Sequence, residues 1–239
     1  MNISSRLSAP ILGAAIAVLV ETASGSISAQ QAPTVPLPNP GVPQITTLEG
    51  NFVRVGYNNE AYVILGYQMA QRSIGEPWLM LEVGMTLMDK VKDQTLKRDV
   101  IALEIPDGTK VPLPTMEDYR KGEGEVQALQ NRAKVQRDSI NYFPVTASRP
   151  CRIGFFADLD QRAVSWDQVE LTSDRACLGR LYFHVPGGIT TGQYWLNVKF
   201  AQTLVRVPFR IFTPDEEKLV SKNYKSIKKQ VEEAFKKKS

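Results

Sequence analysis

From Gly192 to Ile211 the chain alternates apolar and polar residues twice over, a pattern that an extended strand can bury and a helix cannot. Tyr194, Leu196, Val198 and Phe200 alternate with Trp195, Asn197 and Lys199. After Ala201-Gln202-Thr203, Val205, Val207, Phe209 and Ile211 alternate with Arg206, Pro208 and Arg210. A period of two puts one set on a buried face and the other outside. Pro208 has no N–H for a ladder, so its strand is expected at a sheet edge or at a bulge. The alternation recurs at Ala61, Val63, Leu65, Tyr67 and Met69, and at Leu79, Leu81, Val83, Met85 and Leu87. Ile101, Leu103 and Ile105 run into Pro106-Asp107-Gly108-Thr109, a turn signal, followed by Val111 and Leu113. Arg152 to Ala157, Gln168 to Leu171 and Leu178 to Val185 add further strand-like runs.

Short strands separated by turns predict a mainly β chain, an antiparallel β-sandwich over residues 45–212. Residues 115–138 break the period. Thr115 with Asp118 resembles a helix-start cap, Gly122 and Gly124 interrupt, and Val126, Leu129 and Ala133 follow helical spacing. One or two short helices are therefore expected as an insertion. The Leu103-x-x-Pro106-Asp107-Gly108 hairpin, and the Gly192-x-Tyr194-x-Leu196-x-Val198 strand leading to Val207-Pro208-Phe209, resemble immunoglobulin-like β-sandwich domains of exported bacterial proteins. That resemblance implies a binding, adhesion or structural module. It carries no catalytic residue onto this chain, and a fold alone does not fix a function.

The start of the chain points to export. Met1 to Arg6 is weakly positive, Leu7 to Val20 is apolar or small, and small residues continue to Ala29. This is the layout of a secretory signal peptide over residues 1–29, with cleavage expected after Ala29. An apolar run of about 14 residues is short of the roughly 20 that a membrane span needs. Pro33, Pro36, Pro38, Pro40 and Pro43 then make residues 30–44 a stiff, extended linker. The mature protein is expected to be periplasmic or extracellular and not membrane-spanning. Two cysteines in an oxidising compartment predict a Cys151–Cys177 disulfide, worth about 3.5 kcal/mol in the chain-entropy description.

The motifs of common chemistries are missing. His184 is the only histidine, so any Ser-His-Asp arrangement would have to use it, and Ser165, Ser173 and Asp174 are merely available. Asp158, Asp160 and Asp167 read as a solvated turn more readily than as calcium ligands. Neither a phosphate-cradling glycine loop nor a cysteine-rich zinc pattern occurs. No cofactor or metal is called for. The net charge of +4 is modest and concentrated near the C-terminus, unlike a nucleic-acid footprint. Of Trp78, Trp166 and Trp195, Trp195 opposes the apolar face of its strand and is the candidate ligand-binding aromatic.

The last segment, 213–239, predicts a basic amphipathic helix. Thr213-Pro214-Asp215-Glu216 supplies an N-cap, a proline at the first helical position and a glutamate at the third. Val220, Tyr224, Ile227, Val231 and Phe235 form an apolar stripe, with Lys218, Lys222, Lys225 and Lys229 opposite. The stripe needs a cover: the helix's own sandwich, another chain, or an anionic membrane surface. The reading carried forward is a helix separable from the sandwich that binds a protein partner or a second copy. Altogether the sequence predicts an exported, non-enzymatic binding or scaffolding protein. Its rivals are a carbohydrate-binding module using exposed aromatics and a small extracytoplasmic hydrolase or lyase.

Overall fold

The structure, a computed structural model, describes residues 43–136, 138–157 and 164–236. The expected signal peptide, most of the expected linker, and Asp158 and Asp160 lie outside the described residues.

Three strands, β1 (Ile45–Gly50), β2 (Val53–Tyr57) and β3 (Ala61–Gly66), form a meander, and a single turn of helix, α1 (Gln68–Gln71), leads into β4 (Trp78–Leu87). Next come β5 (Gln94–Lys97), a 3-10 turn at Arg98–Val100, β6 (Ile101–Glu104) and β7 (Lys110–Pro112). Two helices follow, α2 (Met116–Lys121) and α3 (Glu123–Ala133). Strands β8 (Arg149–Ile153), β9 (Gln168–Leu171), β10 (Arg175–His184), β11 (Gly192–Lys199) and β12 (Leu204–Ile211) precede the last helix, α4 (Pro214–Lys236).

The fold is mainly β and sandwich-like. A six-stranded sheet in the order β1-β2-β3-β4-β10-β8 faces a four-stranded sheet in the order β12-β11-β6-β7, and β5 and β9 pair alone. Val63, Leu65, Leu81, Val83, Met85, Leu181 and Phe183 from the first sheet share one core with Leu103, Leu196, Val198, Val205, Val207 and Phe209 from the second. Gly56 lets β2 approach β12 closely, since a Cβ there would lie 3.0 Å from Val207. Pro208 does stand on an edge strand, paired with Trp195.

Two expectations need correction. β10 and β8 run parallel, with Cys177 directly opposite Cys151, so the sheet is not antiparallel throughout. The long route from β8 through β9 back to β10 makes that possible, because a parallel pair needs a crossover. β4 is also buried on both faces rather than one, along all ten residues. Its outer face is covered by a third layer: α2 and α3 bring Tyr119, Val126 and Leu129 over Met80 and Tyr182. Residues 138–143 then lie across the same face, Asp138 against Gly66 and the Phe143 ring against Gly84.

The helix starts follow the sequence. Thr115 accepts a hydrogen bond from the Asp118 amide at 3.1 Å and begins α2. At α4 the cap is reciprocal: the Glu216 amide donates to the Thr213 hydroxyl at 3.3 Å, and the Thr213 amide donates to the Glu216 carboxylate at 3.0 Å. α4 then runs along β1 of its own domain. Val220 packs on the core, the Tyr224 hydroxyl donates to the Leu48 carbonyl at 3.2 Å, and Lys228 meets Glu49 at 3.0 Å. Ile227 is half-buried on the same side, while the side chains of Val231 and Phe235 lie outside the described residues. The first half of the stripe therefore lies against the chain's own sheet. Gln44, placed at the end of the linker by sequence, also belongs to the domain, because its side-chain amide bonds both backbone groups of Arg206.

Candidate functional site

The site best shaped to hold a ligand lies where the edge strand β7 meets the junction of α2 and α3. Local sequence puts each part there. The Pro106-Asp107-Gly108 turn reverses the chain, with Gly108 at φ +86° and the Asp107 carboxylate accepting from the Thr109 amide at 2.8 Å. Pro112 and Pro114 then stop β7, and the Thr115 cap starts α2 at once. Gly122 joins the two helices directly over Trp78, where a Cβ would lie 2.5 Å from the indole. Only glycine allows that approach.

The result is a pocket of about 510 Å³ lined by Trp78, Val111, Pro112, Pro114 and Pro186, with charged groups at its rim. Trp78, only 3% exposed, forms the floor, and His184, its cross-strand partner, meets it edge-on at 5.2 Å. Behind the floor, Tyr119 packs on Trp78, Phe156 and Tyr182. The Tyr119 hydroxyl donates to the Ala157 carbonyl at 2.7 Å and accepts from Gln130 at 2.8 Å, so the wall is fixed. At the rim, Lys121 bridges Glu117 at 2.9 Å and Asp118 at 3.4 Å. Hydrogen bonding to Thr115 holds the Asp118 carboxyl below the usual range, and hydrogen bonding to Glu117 raises Lys121. Lys110 and Glu125, on opposite walls, have no ion pair among the described residues.

A second pocket, also about 510 Å³, opens on the outer face of the large sheet beside Glu82, Asp138 and Arg180. Its polar groups serve the fold. Arg180 lies 3.8 Å from Glu82, and Asp138 accepts from the Gln68 amide at 2.8 Å. Burial pushes the Asp138 carboxyl up to about 6, against the lowering effect of that hydrogen bond.

The residues singled out by sequence are scattered. Cys151 and Cys177 are joined as a disulfide on the inner side of the sheet and line neither pocket. Trp195 is half-buried on the outer face of the four-stranded sheet, and the Arg206 guanidinium stands 4.5 Å above its ring. One ring face is thus already taken, and the exposed tryptophan is Trp166, at 63%. His184 is exposed at one end of β10, while Ser173 and Asp174 adjoin its other end, about 30 Å away by strand rise. Asp174 is instead engaged by Arg149 at 2.9 Å, and Asp167 by Arg98 at 3.2 Å. The histidine belongs to the pocket through its contact with Trp78. Sequence reading missed the pocket, whose one local trace is the Pro112-x-Pro114 pair ahead of a helix cap.

Among the described residues no cluster of His, Cys, Asp and Glu could hold a metal ion, and no helix is long and apolar enough to cross a membrane. No protein family, curated protein or solved structure matches this chain.

Proposed function

We propose that this chain is an exported, non-enzymatic binding or scaffolding protein with an immunoglobulin-like sandwich, and that it meets its ligand in the pocket between β7 and the α2–α3 junction. The observation that carries the reading is the preformed apolar lining of that pocket. Three prolines and a buried indole form its walls and floor, and a preformed apolar cavity with a few fixed polar groups is the usual form of a binding site. Little conformational freedom is left to lose when a ligand enters. The Cys151–Cys177 bond supports a periplasmic or extracellular setting, where such bonds persist. The pocket histidine, set against an indole rather than a carboxylate, fits a recognition role.

The test is photo-crosslinking of the full exported chain in its own envelope extract. A crosslinker replacing the exposed Lys121 should trap a discrete partner, and the Pro186→Glu variant, which puts a charge in the cavity, should lose it. The same crosslinker at Arg149, on the far edge, serves as the control. Equal trapping at both positions, untouched by Pro186→Glu, would sink the reading.

A further inference from the structure

The outer strands of the two large sheets end their free edges differently. On β12 the Arg206 amide donates to Gln44 at 2.8 Å, its carbonyl accepts from the same side chain, and Pro208 offers no N–H. On β1 the Leu48 carbonyl takes the Tyr224 hydroxyl, and the Glu49 carbonyl takes that of Tyr142, both at 3.2 Å. On β8 exposed Pro150 follows Arg149 and leads to exposed Arg152 two residues on, a combination that discourages pairing.

The fourth edge, β7, also carries a proline, Pro112, with no N–H to offer, yet both main-chain groups of Lys110 face outward with no partner among the described residues. The Ile105 amide donates to the Thr109 carbonyl at 3.0 Å, so alternation turns Val111 towards β6 and the N–H and C=O of Lys110 away from it. Four consecutive residues, Thr109 to Pro112, line the pocket. A strand that lined a cavity with one face would show every second residue, so β7 presents its edge. The two free main-chain groups therefore sit beside a cavity of about 510 Å³, room for a side chain of a bound segment together with its neighbours. The charges complete the pattern, with Lys110 on the strand side and Glu125 on the helix side, neither in an ion pair among the described residues.

We propose that β7 takes up an extended peptide segment by strand addition. The peptide pairs with the N–H and C=O of Lys110 and seats one apolar side chain on Trp78 between Pro112, Pro114 and Pro186. An acidic residue of the peptide lies near Lys110 and a basic one near Glu125. Main-chain pairing supplies affinity and the pocket supplies selectivity. This inference rests on the pocket's being the ligand site and adds how the ligand is held.

The experiment screens the full mature chain against an immobilised library of random octapeptides. The enriched sequences should carry an apolar residue between an acid and a base. N-methylation of the best peptide along its backbone should weaken binding tenfold or more at one or two positions. Lys110→Pro removes the outward N–H with a residue that edge strands tolerate, and should give a similar loss. Lys110→Glu should exchange the preferred acid for a base, which keeps the test open if the proline variant folds poorly. Binding that survives N-methylation and Lys110→Pro but is lost with Pro186→Glu would overturn strand addition and leave the pocket as the site. No enrichment, or peptides that ignore all three substitutions, would overturn both.

Discussion

Glu60 and Thr203 fasten the two large sheets to each other at one end: the Glu60 carboxylate accepts both the Thr203 amide and the Thr203 hydroxyl at 2.7 Å. Glu60 lies in the turn between β2 and β3, and Thr203 in the turn between β11 and β12. The same carboxylate takes the Gln202 amide at 3.0 Å, while Asn58 donates to the Thr203 hydroxyl at 2.8 Å. Glu60→Ala would leave buried donors without an acceptor and should cost about 3 kcal/mol. Urea unfolding measures it, and a loss under about 1 kcal/mol would contradict the assignment.

Reducing the Cys151–Cys177 bond should lower stability by about 2–5 kcal/mol. Denaturant midpoints with and without a thiol reductant give the value. Free labelling of both cysteines in the non-reduced, unfolded protein would show that the bond does not form.

Asp138 should make stability fall with rising pH. Burial places its carboxyl at about 6 in the fold, against an ordinary 3.8. The folded chain thus holds the proton more tightly than the unfolded one. Its contribution is complete below pH 3.8 and is lost as the pH rises through 6. The loss is at most about 3 kcal/mol. Asp138→Asn should flatten this part of the profile, and identical urea midpoints against pH for both proteins would refute the assignment.

Gly122→Ala should destabilise by about 1–3 kcal/mol, because the added methyl overlaps the Trp78 ring and backbone and indole must part. A shift of the tryptophan emission should accompany the loss. An alanine variant matching the parent in midpoint and spectrum would mean that the helix junction does not rest on Trp78.

Deleting residues 214–239 should lower the thermal midpoint and increase self-association, since it uncovers the Leu48 carbonyl and the core under Val220. Tyr224→Phe, which removes one hydrogen bond, should cost about 1 kcal/mol. A truncated protein that unfolds at the parent's temperature would restore the picture of an independent helix. Differential scanning calorimetry with sedimentation decides between them.

The parts of this fold legible in sequence are those written in neighbouring residues. Pro208 announced an edge, Thr115 and Thr213 announced helix starts, and the alternation around Tyr194 and Val207 gave a hairpin in the correct phase. The parallel pairing of Cys151 with Cys177 has no local signature, because the residues that enforce it are separated by β9 and its connections. β4 reads as half-buried because an alternating pattern says nothing about a later segment crossing its polar side. Gly66 and Gly84 were the available clue, since glycine within a strand often marks a close approach. The pocket was illegible for the same reason: Trp78, Lys110, Gly122 and His184 come from four separate elements, and none carries a motif alone.

The bond between Cys151 and Cys177 spans a separation of 26 residues that includes all of β9, and β9 pairs with β5 outside the closed loop. A protease cut anywhere inside that loop therefore severs the chain without dividing the molecule. The two pieces stay covalently linked and remain zipped to the rest of the protein through β5. On a denaturing gel a nicked chain would run as one species without reductant and as two with it. In an environment rich in proteases, one cleavage in this stretch would leave both pieces in a single covalent molecule.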